Sequence, residues 1–215
     1  MKHIIVLFGP SGCGKSTVGE HLQEKCSFEF LEGDKVRKFT RAFISFMMRQ
    51  VIDLRVLQYH SKDNVEKIKS GTPLNDLDRA MWLRDLSTAA TTATSDHEVV
   101  IVSCSALKRN YRRVFRSAVI EYNKGIKKQH EDSKIRLHFL FLQMSEEKAE
   151  MLVEQRQQRN GHYMPKSSVR SQFEILEIPR HGNWGELNTD CTIIDAGKGI
   201  EWTLKSVEDI LDGFL

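Results

Sequence analysis

An α/β fold, a five-stranded parallel sheet with helices on both faces, is the architecture this sequence predicts, and three observations predict it. Five short apolar runs stand out as strands: Ile4–Phe8, Phe28–Leu31, Val99–Val102, Leu137–Leu142 and Thr192–Ile194. Helical stretches separate them, so the order is broadly β, α, β, α, β, which right-handed crossovers turn into a parallel sheet. The first run, Ile4-Ile5-Val6-Leu7-Phe8, is β-branched and does not alternate with polar residues, as expected of a strand covered on both faces. Ligands of such sheets lie at the carboxyl ends of the strands, so the residues just after each strand are where chemistry is to be sought.

The first strand feeds directly into Gly9-Pro10-Ser11-Gly12-Cys13-Gly14-Lys15-Ser16, and Thr17 to Gln23 continues as a helix. The run matches the phosphate-binding pattern of Gly, four residues, Gly, Lys, then Ser or Thr. Glycines let backbone N–H groups curl around a polyphosphate without Cβ clashes, and the following helix turns its open N–H groups and positive dipole end to the same anion. Gly9, Pro10, Ser11, Gly12, Cys13, Gly14, Lys15, Ser16 and Thr17 are therefore the nucleotide-binding candidates. Lys15 supplies a charge for the β and γ phosphates of ATP, and the Ser16 hydroxyl is the candidate ligand for Mg²⁺. A glycine-rich turn with an incidental lysine is the plainer alternative; the position between a buried strand and a helix favours nucleoside triphosphate, and makes the fold a P-loop NTPase three-layer sandwich.

Composition sets the bounds. The chain has 215 residues, 40% hydrophobic and 28% charged, which suits one α/β domain over 1–215 that buries roughly 70–75% of its unfolded surface. A net charge of +3 fits an anionic substrate and is too weak to argue for nucleic acid. The four cysteines, Cys13, Cys26, Cys104 and Cys191, are scattered without a C-x-x-C, against a disulfide framework or zinc site and for a reducing compartment. The apolar run before Gly9 is too short for a signal sequence, and no run reaches the 18 or so apolar residues of a spanning helix. The expectation is a cytoplasmic protein with no membrane segment.

After the second strand comes Glu32-Gly33-Asp34. Asp34 either orients a substrate hydroxyl and takes its proton, or holds a metal-bound water, or caps the next helix; its place beside a phosphate site favours chemistry. Residues 35–59 contain no Gly or Pro, and Phe39, Phe43, Phe46, Met47, Val51, Leu54 and Leu57 recur at helical spacing, which predicts an amphipathic helix, with core or interface as its use. Gly71-Thr72-Pro73 then breaks the chain; Asn75 or Asp76 can cap a new helix whose first turn holds Asp78 and Arg79. Arg79 is either solvated or a bidentate clamp for a carboxylate.

The third strand ends at Ser103-Cys104-Ser105-Ala106-Leu107-Lys108-Arg109, hydroxyls followed by cations, which suits a polar, sugar-like ligand with an acid group. Lys108, Arg109, Arg112, Arg113 and Arg116 form a basic patch, with Arg113 and Arg116 expected on a solvated face. Only Tyr111 interleaves an aromatic, so an RNA-contacting face is disfavoured. The polar stretch 124–134 reads as a solvated loop. Residues 146–159 predict a helix ending in Gln155-Arg156-Gln157-Gln158-Arg159, a turn at 160–165 containing His162, and a second helix from Lys166 to Phe173. Arg156 and Arg159 on such a hairpin describe a lid that closes over ATP; two surface arginines are the plainer alternative. Asp195-Ala196-Gly197 closes the last strand where such folds often hold adenine.

With these segments laid out, the chain resembles the gluconate kinase family, P-loop small-molecule kinases with an adenylate-kinase-like or shikimate-kinase-like fold. GPSGCGKSTVGEHL, GD at 33–34, HSKDN with EKIKSGTPLNDLDRAMWL, VVIVSCSALKRNYR, and RNGHYMP with SQFEILEIP carry the resemblance in family order from residue 4 to about 195. The combination of PLNDLDR, SCSALKR and GHYMP is far more specific than the P-loop. The resemblance implies transfer of the ATP γ-phosphoryl group to the 6-hydroxyl of D-gluconate. It implies Lys15 and Ser16 for phosphates and Mg²⁺, Asp34 as base or hydroxyl-orienting group, His60, Arg79 and Lys108 for gluconate, and Arg156 and Arg159 as lid cations. It also implies a substrate-binding subdomain at about 35–95, a lid at about 156–180, and allows a homodimer.

One spacing departs from the family: twenty-five residues separate Asp34 from His60, where the family has a few. The extra segment, about 36–58, is an elaboration of the substrate subdomain, a dimer contact, or translated sequence that is normally removed. Two rival functions remain. Another small-molecule kinase, for shikimate or a nucleoside monophosphate, is one, although a shikimate kinase calls for a glycine-rich turn where Ser103-Cys104-Ser105 stands. The other is a catalytically disabled ATP-binding or RNA-interacting module.

Overall fold

The computed structural model describes residues 1–33, 76–160, 166–180, 190–213 and 215. Asp34, His60, the 36–58 segment with its predicted helix, and the lid turn with His162 lie outside the described residues. The described elements, in chain order, are β1 (Lys2–Phe8), α1 (Lys15–Cys26), β2 (Glu29–Glu32), α2 (Asp76–Ala93), β3 (Val99–Cys104), α3 (Arg109–Lys124), β4 (Ile135–Gln143), α4 (Glu146–Asn160), α5 (Lys166–Glu174), β5 (Cys191–Asp195) and α6 (Ile200–Asp212). Short 3₁₀ turns fill Lys128–Ser133 and Ala196–Lys198. All five predicted strands are present, shifted by one or two residues at their ends. Helix α1 begins two residues earlier than its sequence pattern suggests, at Lys15, directly on the P-loop. Helix α6 has no counterpart in the motifs. No helix among the described residues is long and apolar enough to cross a membrane.

The strands form one parallel sheet in the order β2-β3-β1-β4-β5. Strand β1 is central, and side-chain alternation divides it between two cores. Ile4, Val6 and Phe8 join Val100, Val102 and Phe139 under α2 and α3, which add Trp82, Leu83, Leu86, Tyr111 and Phe115. Ile5 and Leu7 join Ile101, Leu140 and Leu142 under α1 and α6, which add Val18, Leu22, Val207 and Leu211. Each fully buried aliphatic side chain here contributes about 1.5–3 kcal/mol. Having helices on both faces is what makes the strands read as unbroken apolar runs. A third, small cluster of Ala149, Val153 and Val169 joins α4 to α5.

Register places the site. Phe8, the last residue of β1, lies opposite Cys104 of β3 and Phe141 of β4, while Glu32 of β2 lies opposite Ser103. Strands β1, β2 and β3 therefore end together, and the P-loop leaves beside Glu32 and the Ser103–Ser105 corner. The Gly9 N–H donates to the Ser105 carbonyl at 3.3 Å.

At the opposite end of the sheet His3 and His138 stack, with ring centroids 5.5 Å apart and planes within 4°. Burial pushes the His138 imidazole down to about 4, helped by the neighbouring His3 and Arg136 and opposed by Asp190. His3 is lowered too, by burial, then Arg136 and the N-terminal ammonium, against Glu98. Both rings are thus neutral when folded, whereas an unfolded chain takes up protons near the usual histidine value of 6.5. The folded state binds fewer protons in that window, so stability is full above about pH 6.5 and is lost as pH falls from there toward 4. Thermal melts at pH 7 and pH 5 should show this loss, and His138→Phe should shrink it. An equal loss in the variant would assign the acid sensitivity elsewhere.

Candidate active site

The P-loop is shaped by its packing. Gly12 has φ +87, and a Cβ there would sit 2.9 Å from the Ala149 carbonyl of α4, so both conformation and space demand glycine. Gly14, at φ +93, is the N-cap of α1 and brings no side-chain cap, which leaves the first N–H groups of the helix turned to the loop. Lys15 Nζ donates to the Gly9 and Pro10 carbonyls, both at 2.9 Å, and lies 3.7 Å from Cys13 Sγ. A glycine cradle, an uncapped helix start and an ammonium held on the loop without a carboxylate partner in these bonds fit a polyphosphate.

Beside this cradle the Ser16 hydroxyl donates to Glu32 Oε1 at 2.5 Å. The sequence points to Asp34, yet among the described residues Glu32 is a carboxylate that meets Ser16. The signal was its position as the last residue of β2. The next residue is pinned: Gly33 N–H donates to the Ser103 carbonyl at 2.8 Å, and Trp82 Nε1 donates to the Gly33 carbonyl at 3.0 Å. A Cβ on Gly33 would lie 2.7 Å from the Ser103 oxygen and 3.1 Å from the Trp82 ring. Helix α2 thereby holds Gly33 in place at the end of β2.

The β3–α3 corner carries Lys108. Its ammonium donates to both Asp76 carboxylate oxygens at 2.8 Å, and Tyr111 OH donates to Asp76 Oδ1 at 2.5 Å. These two partners, Lys108 first, hold the Asp76 carboxyl below the usual carboxylate range. Burial, then the Asp76 bond, pushes the Tyr111 phenol up. Arg79 lies 5.8 Å from the Tyr111 ring centroid and Lys108 5.6 Å from it, so both candidate cations share one aromatic ring. Asp76 is the first residue of α2, and its carboxylate pairs with Lys108.

The expected basic patch does not exist as a surface. Arg112 is fully buried. It stacks 5.0 Å from the Phe8 ring centroid and donates to the Ala106, Leu107 and Glu177 carbonyls at 2.8, 2.9 and 2.9 Å. Ala106 is held at φ +35, an unfavourable value for a residue with a Cβ, and the guanidinium fixes the two carbonyls that follow that bend. Arg116, expected to be solvated, makes a bidentate pair with Asp190 at 2.6 and 2.8 Å and lies 4.7 Å from the Phe139 ring centroid. Loop carbonyls and a carboxylate 74 residues away claim these cations, leaving Arg109 and Arg113 on the exposed side. The Arg109 N–H also donates to Glu177 Oε2 at 2.5 Å, and the Glu177 N–H to the Leu107 carbonyl at 3.0 Å, so the segment after α5 is stitched to the corner that carries Lys108.

Helices α4 and α5 form the hairpin predicted as a lid. Arg156 is exposed on α4; the Arg159 side chain lies outside the described residues. At the far side of the P-loop, the Ile200 Cδ1 atom lies 3.3 Å from where a Cβ on Gly14 would stand, so the β5–α6 corner borders the P-loop. Lys148 donates to the Gly197 carbonyl there, and Asp195 Oδ1 accepts from the Gly197 N–H at 3.0 Å.

Replacing Arg112 by Met leaves three carbonyls of the corner without their donor. The variant should lose about 2–4 kcal/mol of folding stability in denaturant titrations. A loss below about 0.5 kcal/mol would contradict the role given to this guanidinium.

Residues 4–179 match the family model described as AAA domain. The chain is 33% identical over 180 residues to a Schizosaccharomyces pombe protein named "Probable gluconokinase", covering 83% of this chain and 74% of that protein. It is 28% identical over 209 residues to the thermoresistant gluconokinase of Escherichia coli, covering 97% and 93%. Among solved structures, a gluconokinase from Sinorhizobium meliloti superposes with a TM-score of 0.61 at 29% identity, covering 98% of this chain and 94% of that one. With a five-stranded parallel sheet, a P-loop on its central strand and relatives of this similarity along most of its length, the chain belongs to the gluconokinase family of P-loop kinases.

Proposed function

We propose that the chain is a gluconokinase that transfers the γ-phosphoryl group of ATP to the 6-hydroxyl of D-gluconate. The observation that supports this best is the convergence of two sites at one edge of the sheet. The P-loop cradle with Lys15 and the Ser16–Glu32 pair lies at the ends of β1 and β2, and the Arg79–Lys108 rim lies at the β3 corner. One accepts a polyphosphate and the other a carboxylate.

In this reading the loop Gly9, Pro10, Ser11, Gly12, Cys13, Gly14, Lys15, Ser16 and Thr17 binds ATP, with the backbone N–H groups from Gly12 onward facing the phosphates, and Lys15 neutralises charge on the β and γ phosphates. Arg79 grips the gluconate carboxylate with Lys108 beside it, and His60 contributes from the substrate subdomain at about 35–95. Asp34 orients the 6-hydroxyl and takes its proton as the new O–P bond forms and the bond to the ADP oxygen breaks. Arg156 and Arg159, on the lid at about 156–180, exclude water and bring positive charge to the transferring group. The work is positioning and charge neutralisation, and losing one such group costs on the order of 10²–10³ in rate.

Ser16 and Glu32 suit Mg²⁺: both present oxygen, and this ion takes few protein ligands when substrate phosphates supply others. When bound, the ion offsets phosphate charge. All four cysteines are free thiols, in keeping with a cytoplasmic setting.

The purified chain, given ATP, Mg²⁺ and separately D-gluconate, shikimate, AMP and glycerate, should release ADP with gluconate alone and form 6-phosphogluconate. Chelating Mg²⁺ should abolish turnover. Arg79→Ala should raise the KM for gluconate tenfold or more and leave the KM for ATP unchanged. Turnover with shikimate or AMP in place of gluconate would overturn the assignment. If the chain is silent but active after removal of 36–58, the ancestry holds and the insertion disables it.

A further inference from the structure

Helix α5 reaches the P-loop through one side chain. The Ser11 N–H donates to Gln172 Oε1 at 2.7 Å, and Gln172 Nε2 donates to Ser11 Oγ at 2.9 Å. The pair spans 161 positions of sequence. Chemistry fixes the amide's orientation, because a backbone N–H can only donate and so must face the oxygen. The amide nitrogen then faces the hydroxyl, which makes Ser11 Oγ an acceptor toward Gln172. The hydroxyl hydrogen is therefore directed away from Gln172.

The surroundings make this a defined geometry. Gly12, next in the loop, is wedged against the Ala149 carbonyl, and Val169 of α5 packs with Ala149 and Val153 of α4. Loop and hairpin base thus form one packed unit around Ser11. Lys15 Nζ rests on the carbonyls of Gly9 and Pro10, the two residues just before Ser11, so Ser11 borders the place where Lys15 meets the terminal phosphates.

We propose that Gln172 is a positioning residue for phosphoryl transfer: its amide holds Ser11 so that the hydroxyl donates to an oxygen of the γ-phosphoryl group of ATP. This rests on the kinase reading above. The amide sets the polarity of the pair, since only a donor at the Nε2 position leaves the Ser11 hydrogen to the phosphoryl group. It also couples the lid hairpin to the nucleotide, because α5 carries the amide.

Gln172→Glu separates this role from simple bracing. The carboxylate has the same size and still accepts from the Ser11 N–H. It also accepts the Ser11 hydroxyl hydrogen and adds a negative charge beside the triphosphate. Gln172→Glu should therefore lower kcat roughly a hundredfold and weaken ATP binding at least tenfold, with ADP binding and melting temperature near wild type. Ser11→Ala and Gln172→Ala should each lower kcat roughly tenfold with the KM for gluconate unchanged, and the double variant should be no worse than either alone. Wild-type kcat in Gln172→Glu, equal weakening of ATP and ADP, or losses that multiply in the double variant would each overturn the proposal. The ATP-against-ADP comparison needs no turnover. If the wild-type chain phosphorylates nothing, the kinase reading fails, and that comparison still decides whether Gln172 directs Ser11 at the γ-phosphoryl group.

Discussion

Parallel pairing of β1 on both edges is the constraint on which the rest depends. A strand in the middle of a parallel sheet cannot turn back on itself; it must leave at its carboxyl end and cross over through a helix. Here the exit is Gly9, tied to the Ser105 carbonyl, and the helix begins only at Lys15. Of the five residues between, Pro10 has no N–H and the Ser11 N–H is taken by Gln172, while Gly12, Cys13 and Gly14 carry backbone N–H groups that no strand partners. Such groups need an acceptor, and a triphosphate provides several in one ligand. The same sheet edge collects Glu32 and the Ser103–Ser105 corner because β2 and β3 are in register with β1. Fold and nucleotide site are thus one arrangement.

The acceptor side depends on a second arrangement, built around cations drawn inward. Arg112 ties three carbonyls of the β3–α3 corner and of Glu177, and it is from this corner that Lys108 extends. A lysine corner held this way presents its charge with little freedom to lose on binding, which is the physical content of preorganisation. Asp76 sits on Lys108 and Tyr111 as an internal carboxylate, which ties the start of α2 to this corner. The stitching of Glu177 to Leu107 and Arg109 carries the connection on to the segment after α5, and α5 itself touches Ser11. Nucleotide loop, acid rim and hairpin are therefore linked through named contacts.

Much of this was legible in the sequence where the signal is local. Ile4–Phe8 announces a doubly covered strand because both of its faces are apolar, and Gly9–Ser16 announces its ligand because the loop's chemistry lies in consecutive residues. The family motifs add Arg79 and Lys108, which the structure places around one tyrosine ring. What could not be read is what depends on distant partners. RNYRR looks like a charged helix face, yet Arg112 is buried under loop carbonyls and Arg116 is claimed by Asp190. The string points to Asp34 after β2; strand register brings Glu32 to Ser16. Gln172 sits in an unremarkable polar helix, and its meeting with Ser11 is decided by how α4 and α5 pack. Helix α6 lacks a catalytic motif, and its apolar Val207 and Leu211 became visible as core only once the sheet was in place.

The most direct test of the account is a ³¹P NMR time course of the intact chain with Mg²⁺, ATP and D-gluconate. It predicts that the γ-phosphorus resonance of ATP declines as ADP and one phosphomonoester resonance, that of 6-phosphogluconate, grow in equal amounts. Growth of inorganic phosphate in place of the monoester, or a monoester at another gluconate oxygen, would contradict the claim that the two sites are aligned for transfer between them.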